Sequence, residues 1–324
     1  MPTAPTPKDV LLTDGTARLV RFRRGSPAEA GLPILLVPSL INRWYVLDLR
    51  PGATLAGSLV DAGHDVFCLD WGVPEDEDRH LGWDDVVERL GRMVRRVRRE
   101  TGAPRVALLG YCMGGTLAAI HAALEPETVG ALVNLAGPID FAEGGFLAHM
   151  VNPRWFDADS IAEAGNVTPA QMQSGFVALR PTAPLGKWVG FLDRLGQPER
   201  LEAFQALEEW ASDNVPFPAA AYATYIGDLY QRNSLVRGEH TVRGRRVDLA
   251  NIRCPVLTVV TDRDVICPPA AAQALNACSS SSDQSVLVIP GGHVGAVVGG
   301  SAPRELYPRL SAWFRKCFQS QAEN

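Results

Sequence analysis

Leu108-Leu109-Gly110-Tyr111-Cys112-Met113-Gly114-Gly115 is the stretch whose reading decides the fold. Val106 to Leu109 reads as a short buried strand and Thr116 to Leu124 as a helix. A strand that enters a helix through Gly-x-Cys-x-Gly holds its central residue on a very sharp turn. Side chains two positions before and after it would strike neighbouring backbone, so small residues are required there. Gly110 and Gly114 meet that demand. The turn would lift the Cys112 sulfur clear of the sheet edge, at the positive end of the following helix. There a thiolate is favoured, and the Met113 N–H can face a developing oxyanion. A buried structural cysteine in a glycine-rich turn is the competing reading. The strand, glycine and helix context favours a nucleophile elbow with cysteine in the place of serine.

Upstream, Asp14-Gly15 between two apolar segments of residues 10 to 23 signals a hairpin, read as the antiparallel edge of a larger sheet. Ile34 to Val37 is a buried strand, and the loop Ser39 to Tyr45 leaves its carboxyl end, where open α/β sheets place ligands. That loop would supply the second oxyanion-hole N–H, assigned to Ile41 with Leu40 as the alternative. Asp65 to Leu69 is a further strand. Trp83 to Glu100 has helical period, with Val86, Leu90, Met93, Val94 and Val97 on one face and five arginines on the other, read as a solvated surface.

Downstream, Ala131 to Leu135 is a strand. From about residue 141 to 244 the pattern changes to proline-broken helical segments rich in aromatics, among them Trp155, Phe176, Trp188, Phe191, Trp210, Tyr225 and Tyr230. This is too long for a plain connection and reads as a helical cap inserted over the elbow, some of its aromatics lining an acyl pocket. Strands at Pro255 to Val260 and Val286 to Ile289 and a closing helix at Pro303 to Phe318 complete the sheet.

After the last strand comes Pro290-Gly291-Gly292-His293-Val294-Gly295. His293 alone among six histidines lies in a glycine-flanked loop directly after a core strand, so it is the expected base. The other five read as surface, cap or helix positions. Asp262 and Asp264 both lie in the loop where the third member belongs, and spacing does not choose between them. Asp264 leads the Val-Ile-Cys-Pro-Pro turn and is preferred. Nucleophile, acid, histidine is the chain order of the α/β-hydrolase architecture. The expected fold is therefore α/β, an α/β-hydrolase fold with a mostly parallel central sheet, an antiparallel N-terminal edge and an inserted helical cap. Residues 1–324 are expected to form a single catalytic domain, with a flexible N-terminal arm at 1–8. A cysteine nucleophile favours exchange between thioesters, because thiolate attacks thioester readily and the leaving thiol has similar basicity.

Composition narrows the function classes. The 324 residues are 46% hydrophobic with a net charge of −5, which gives no case for a nucleic-acid partner. No apolar run approaches the ~20 residues of a membrane span, and the proline-rich N-terminus lacks the apolar core of a signal peptide, so a cytoplasmic location is expected. The six cysteines show no paired metal-ligand spacing; no metal or cofactor is expected, and the thiols read as reduced.

Together these residues resemble the polyhydroxyalkanoate synthases, most closely the class III catalytic subunit. Four stretches between about Leu11 and Phe314 carry the resemblance. They are the Gly110 to Gly115 box, Ile41-Asn42-Arg43 with Leu47-Asp48-Leu49 and Gly52, the Asp70-Trp71-Gly72 turn, and Pro290 to Gly295. Asp228-Leu229-Tyr230-Gln231 with Asn233, Leu235, Val236 and Gly238 also resembles the family's cap. The resemblance implies that Cys112 carries the growing acyl chain, His293 activates it and Asp264 assists the hydroxyl of the incoming unit. Asp264 alone aligns with the family's Asp-x-x-x-Pro-Pro turn. Val265 stands where the synthases usually have histidine, which bears on rate or substrate preference. Further implications are a 3-hydroxyacyl-CoA substrate, polymerised with release of CoA, an accessory synthase subunit and/or a homodimer, and location at the polyester granule surface. The competing readings are a thioesterase or depolymerase on the same scaffold and a non-catalytic granule-surface protein.

Overall fold

The computed structural model describes residues 3–25, 31–179 and 197–322. Eight strands form one sheet: β1 (Lys8–Asp14), β2 (Ala17–Phe22), β3 (Ile34–Val37), β4 (Val66–Asp70), β5 (Val106–Tyr111), β6 (Val129–Leu135), β7 (Val256–Thr261) and β8 (Gln284–Ile289). Their spatial order is β1-β2-β4-β3-β5-β6-β7-β8. The β1–β2 hairpin is antiparallel and joins β4 antiparallel; every other pairing is parallel. The Asp14-Gly15 signal therefore made the expected edge hairpin, with Gly15 at φ 61°.

Strand alternation builds a core on each face of the sheet. Leu35, Val37 and Leu108 point to one side, against α2 (Trp83–Thr101) and α3 (Met113–Leu124). Ile34, Leu36, Ala107 and Leu109 point to the other, against α1 (Leu55–Asp61) and the last helix, Tyr307–Ala322, through Leu59, Leu310 and Phe314. Burial of each such leucine contributes about 1.5–3 kcal/mol, so covering both faces fixes the three-layer arrangement.

Between β6 and β7 the chain leaves the sheet. It forms α4 (Gly145–Met150), α5 (Ala158–Glu163), α6 (Pro169–Leu179), α7 (Pro198–Ser212), α8 (Ala219–Thr224) and a π-helical turn over Tyr225–Gln231. Phe217, Tyr222 and Tyr225 join the α2–α3 core, and the Tyr225 ring lies 5.3 Å from that of Trp83. Phe146 and Trp155 are more than half exposed. Trp188 and Phe191 lie outside the described residues. After β7 come α9 (Pro269–Cys278), β8, α10 (Gly295–Val298), α11 (Ala302–Glu305) and α12 (Tyr307–Ala322).

Three expectations are corrected. The arm over 1–8 is tied down from Thr6, whose N–H and hydroxyl both donate to the buried Asp48 carboxylate at 3.1 and 2.6 Å. The single closing helix is two, because Pro308 has no N–H to give the carbonyl of Arg304, so the helix restarts at Tyr307. His64 is buried rather than superficial, and its Nε2 meets Ser311 Oγ at 3.0 Å.

Candidate active site

β5 ends at Tyr111 and α3 starts at Met113, so Cys112 alone makes the turn, at φ 56° and ψ −130°. That region is costly for a residue with a side chain, about 1–3 kcal/mol. It is held by the Cys112 N–H bond to Leu135 at 2.9 Å and by the Gly115 N–H bond to the Cys112 carbonyl at 2.8 Å. The glycines are required by close approach. A Cβ on Gly110 would lie 2.3 Å from the Gly114 carbonyl, and one on Gly114 would lie 1.9 Å from the Val37 carbonyl. Gly114 thus seats the elbow directly on the start of the Ser39–Tyr45 loop.

His293 follows β8, and its Nδ1 lies 2.7 Å from Asp264 Oδ2. The imidazole stacks on Tyr111 at 5.3 Å between centroids, and Tyr111 Oη donates to the His293 carbonyl at 3.4 Å. Burial pulls the His293 pKa down, but the Cys112 sulfur and the Asp264 carboxylate together raise it to about 10. Nε2 is buried and makes no hydrogen bond among the described residues. Nδ1–H donates to Asp264, and the raised pKa makes the imidazolium the favoured form beside the Cys112 sulfur, so a proton taken from the thiol is held on Nε2.

Asp264 is itself over-determined. Its Oδ1 accepts the Ile266 and Cys267 N–H groups, both at 2.9 Å, and Oδ2 also accepts Thr261 Oγ1 at 3.2 Å. Burial pushes its pKa up, yet the bond from His293, followed by those from Cys267 and Ile266, leaves it below the ordinary value. Asp262 is placed elsewhere: its Oδ1 accepts the Gly291 N–H at 2.7 Å, tying the β7 and β8 loops together. Val265 is 38% exposed and stands outside this network.

Met113 opens α3, so its N–H has no acceptor within the helix. The Ile41 N–H donates to no other group among the described residues, and both Leu40 and Ile41 are buried. The loop carrying them is fixed from both sides. Trp71 Nε1 donates to the Pro38 carbonyl at 3.0 Å, and Trp210 Nε1 of α7 donates to the Arg43 carbonyl at 2.9 Å. Tyr45 Oη donates to Asp213 at 2.7 Å, and Asn42 bridges to Asn214. The end of α7 and the Ser39–Tyr45 loop are therefore one hydrogen-bonded unit. Spacing could not reveal this, because the partners are 167 to 172 residues apart.

Tyr225 and Tyr230 project from the π-helical turn, and their rings are 5.5 Å apart, with Phe141 4.7 Å from Tyr230. Burial pushes both phenol pKa values far up, with Cys112 among the neighbours that add to it. A π-turn is common at functional sites. The adjoining Asp228 holds the end of the cap: it accepts His240 Nδ1 at 2.5 Å, Ser234 Oγ at 2.7 Å and Arg232 at 2.9 Å. Gln231 Nε2 donates to the Val151 and Phe156 carbonyls, and Asn233, at φ 52°, bonds Phe141 and Asp140. These side chains tie parts of the cap to one another and, through Asn233 and Asp140, to its root after β6. Among the described residues no group of three His, Cys, Asp or Glu could hold a metal, and no helix is long and apolar enough to cross a membrane.

The sheet order, the elbow and the acid and histidine loops at the carboxyl ends of β7 and β8 define an α/β hydrolase, and the α/β-hydrolase fold family model matches residues 33–299. A thermophilic esterase from Thermogutta terrifontis has the same fold at a TM-score of 0.57, with 16% identity, covering 96% of this chain and 99% of that one. The nearer likeness is in sequence. Poly(3-hydroxyalkanoate) polymerase subunit PhaC of Haloferax mediterranei is 33% identical over 95% of this chain, and that of Allochromatium vinosum is 32% identical over 97%. The chain spans 64% of the first relative's length and 90% of the second's. It belongs to the poly(3-hydroxyalkanoate) polymerase PhaC family, whose members are acyltransferase-type enzymes.

Proposed function

We propose that this chain polymerises 3-hydroxyacyl-CoA into polyhydroxyalkanoate through a thioester on Cys112. The observation that carries the reading is a cysteine at the elbow beside an Asp264–His293 pair whose Nε2 has no other partner among the described residues. His293 Nε2 takes the thiol proton, and the Cys112 sulfur attacks the thioester carbonyl carbon. The oxyanion meets the Met113 and Ile41 N–H groups. The carbon–sulfur bond to CoA then breaks, and CoA leaves with the proton from His293. In extension, His293 takes the proton of the next unit's 3-hydroxyl, whose oxygen displaces Cys112 from the acyl carbon. Cys112 then attacks the thioester of the lengthened chain and releases its CoA. Asp264 acts through His293, fixing the tautomer and stabilising the imidazolium.

The aromatic cap keeps water from the thioester, which favours transfer over hydrolysis. An accessory subunit or a second copy, and the polyester granule surface in the cytoplasm, are the partners that belong to this reading. The test supplies 3-hydroxybutyryl-CoA with and without a candidate accessory subunit and follows free thiol and insoluble polymer. Thiol release with polymer supports the proposal. Thiol release with free hydroxy acid alone returns the chain to the thioesterase reading, and wild-type turnover by Cys112→Ala removes the nucleophile.

A further inference from the structure

Next in the chain to the His293 loop lies a cavity that none of Cys112, Asp264 and His293 lines. It has a volume of about 630 Å³ and lies between the first half of α7, the α10 turn and Arg50. Its floor starts at Gly295, two residues after His293, and continues through Gly299 and Gly300. Phe204 and Leu207 of α7 make one wall, and Arg50 and Arg200 supply the charge.

Neither arginine has an ion-pair partner among the described residues. Arg50 gives one guanidinium N–H to the Pro51 carbonyl at 3.0 Å, while its Nε is buried with no hydrogen bond. Arg200 is exposed at the rim. A desolvated guanidinium nitrogen without an acceptor costs free energy that an anionic oxygen would return, and two guanidinium groups without an ion-pair partner among the described residues suit phosphate groups. The floor is open where backbone could have carried side chains: a Cβ on Gly295 or on Gly300 would meet nothing within 4 Å. Glu199 also lines the cavity and offsets one positive charge.

We propose that this cavity binds the phosphorylated adenosine end of the CoA thioester. Arg50 and Arg200 hold its phosphates, and the Phe204–Leu207 wall receives the purine. The proposal rests on the reading of CoA thioester as substrate and adds where its nucleotide sits. The site adjoins the histidine loop in the chain, Gly295 lying two residues after His293. Binding energy taken from this non-reacting end can be used to orient the thioester.

The test measures binding before chemistry. Calorimetry with CoA and with adenosine 3′,5′-bisphosphate is carried out on wild type, Arg50→Ala/Arg200→Ala, Gly300→Leu and Glu199→Gln. Loss of two charge-assisted phosphate contacts should weaken both ligands at least tenfold, about 1.4 kcal/mol or more. Gly300→Leu fills the floor and should do the same without removing a charge, which covers the case of a double variant that does not fold. Glu199→Gln should bind more tightly. A parallel assay compares kcat/KM for 3-hydroxybutyryl-CoA with that for 3-hydroxybutyryl-pantetheine; the ratio should fall by the same factor in the double variant. Wild-type affinity in both the double variant and Gly300→Leu, or no binding of either nucleotide by wild type, overturns the site. Nucleotide binding that needs the arginines, in a chain that never releases thiol, would retain the site and refute the functional reading instead.

Discussion

Replacing Asp264 by asparagine isolates what the carboxylate does. Its Oδ1 accepts two buried N–H groups, from Ile266 and Cys267, and Oδ2 faces His293 Nδ1 at 2.7 Å. An asparagine keeps the first two bonds only by turning its oxygen towards them, which aims its NH₂ at Nδ1. The imidazole must then accept at Nδ1 and carry its proton on Nε2, where it can no longer take the thiol proton. Restoring the productive tautomer requires flipping the amide, leaving two buried N–H groups facing a donor. At about 1–3 kcal/mol each, that is about 2–6 kcal/mol, or a loss of about 30-fold to 10⁴-fold in kcat/KM. Because Asp264 acts through His293, rapid-quench CoA release in the first turnover and steady-state polymer extension should fall by similar factors. Asp262→Asn keeps an oxygen for the Gly291 N–H and sits half exposed, so it should change the rate by no more than about threefold. Folding of each variant is followed by circular dichroism. First-turnover release at wild-type speed in Asp264→Asn, with only extension slowed, would refute the tautomer account and place the carboxylate on the incoming hydroxyl. A larger loss in Asp262→Asn would reverse the assignment.

Gly114→Ala drives a Cβ to 1.9 Å from the Val37 carbonyl and 2.7 Å from that of Pro38. It should cost at least about 1–3 kcal/mol, read as a lower Tm, and reduce kcat because the oxyanion loop moves. Gly175→Ala in α6, with nothing within 4 Å of the new methyl, is the control and should leave Tm unchanged or higher. Iodoacetamide at neutral pH should label Cys112 before any other cysteine. Burial raises the pKa of Cys68, Cys254, Cys267, Cys278 and Cys317, the second and last to about 12. Peptide mapping that finds Cys267 or Cys278 modified first would contradict this. Burial pushes the Asp228 pKa up, but bonds from His240, Ser234 and Arg232 bring it to about 2. A depressed folded pKa gives stability that is full above the unfolded value of 3.8 and is lost as pH falls through about 2. The amount is about 2 kcal/mol. Acid titration of unfolding should show that slope in wild type and not in Asp228→Asn, which should also be less stable at pH 7.

Much of the fold and site can be read from residues close together in the chain. The Gly110–Gly115 box specifies a backbone turn that only those residue types tolerate, and the turn fixes a strand before it and a helix after it. Asp14-Gly15 does the same for the edge hairpin, and the glycines around His293 mark a loop free to aim its imidazole. Each is a local steric demand, satisfied or violated within a few residues. The sequence also fixes which residues repeat every second position and can face two cores at once. It does not fix which distant side chains meet. Asp262 and Asp264 are equivalent by spacing; the fold separates them, because Asp264 turns a buried oxygen towards His293, while Asp262 Oδ1 accepts the Gly291 N–H. The bond of Trp210 to Arg43 and that of Tyr45 to Asp213, which join the cap to the Ser39–Tyr45 loop, span about half of the chain and have no periodic signature. His64 is buried beside a partner far along the chain, Ser311, that no window around it contains. Backbone conformation is set by near neighbours and can be derived from them. Pairing of side chains across the core is set by how whole elements pack, and only the folded chain decides it.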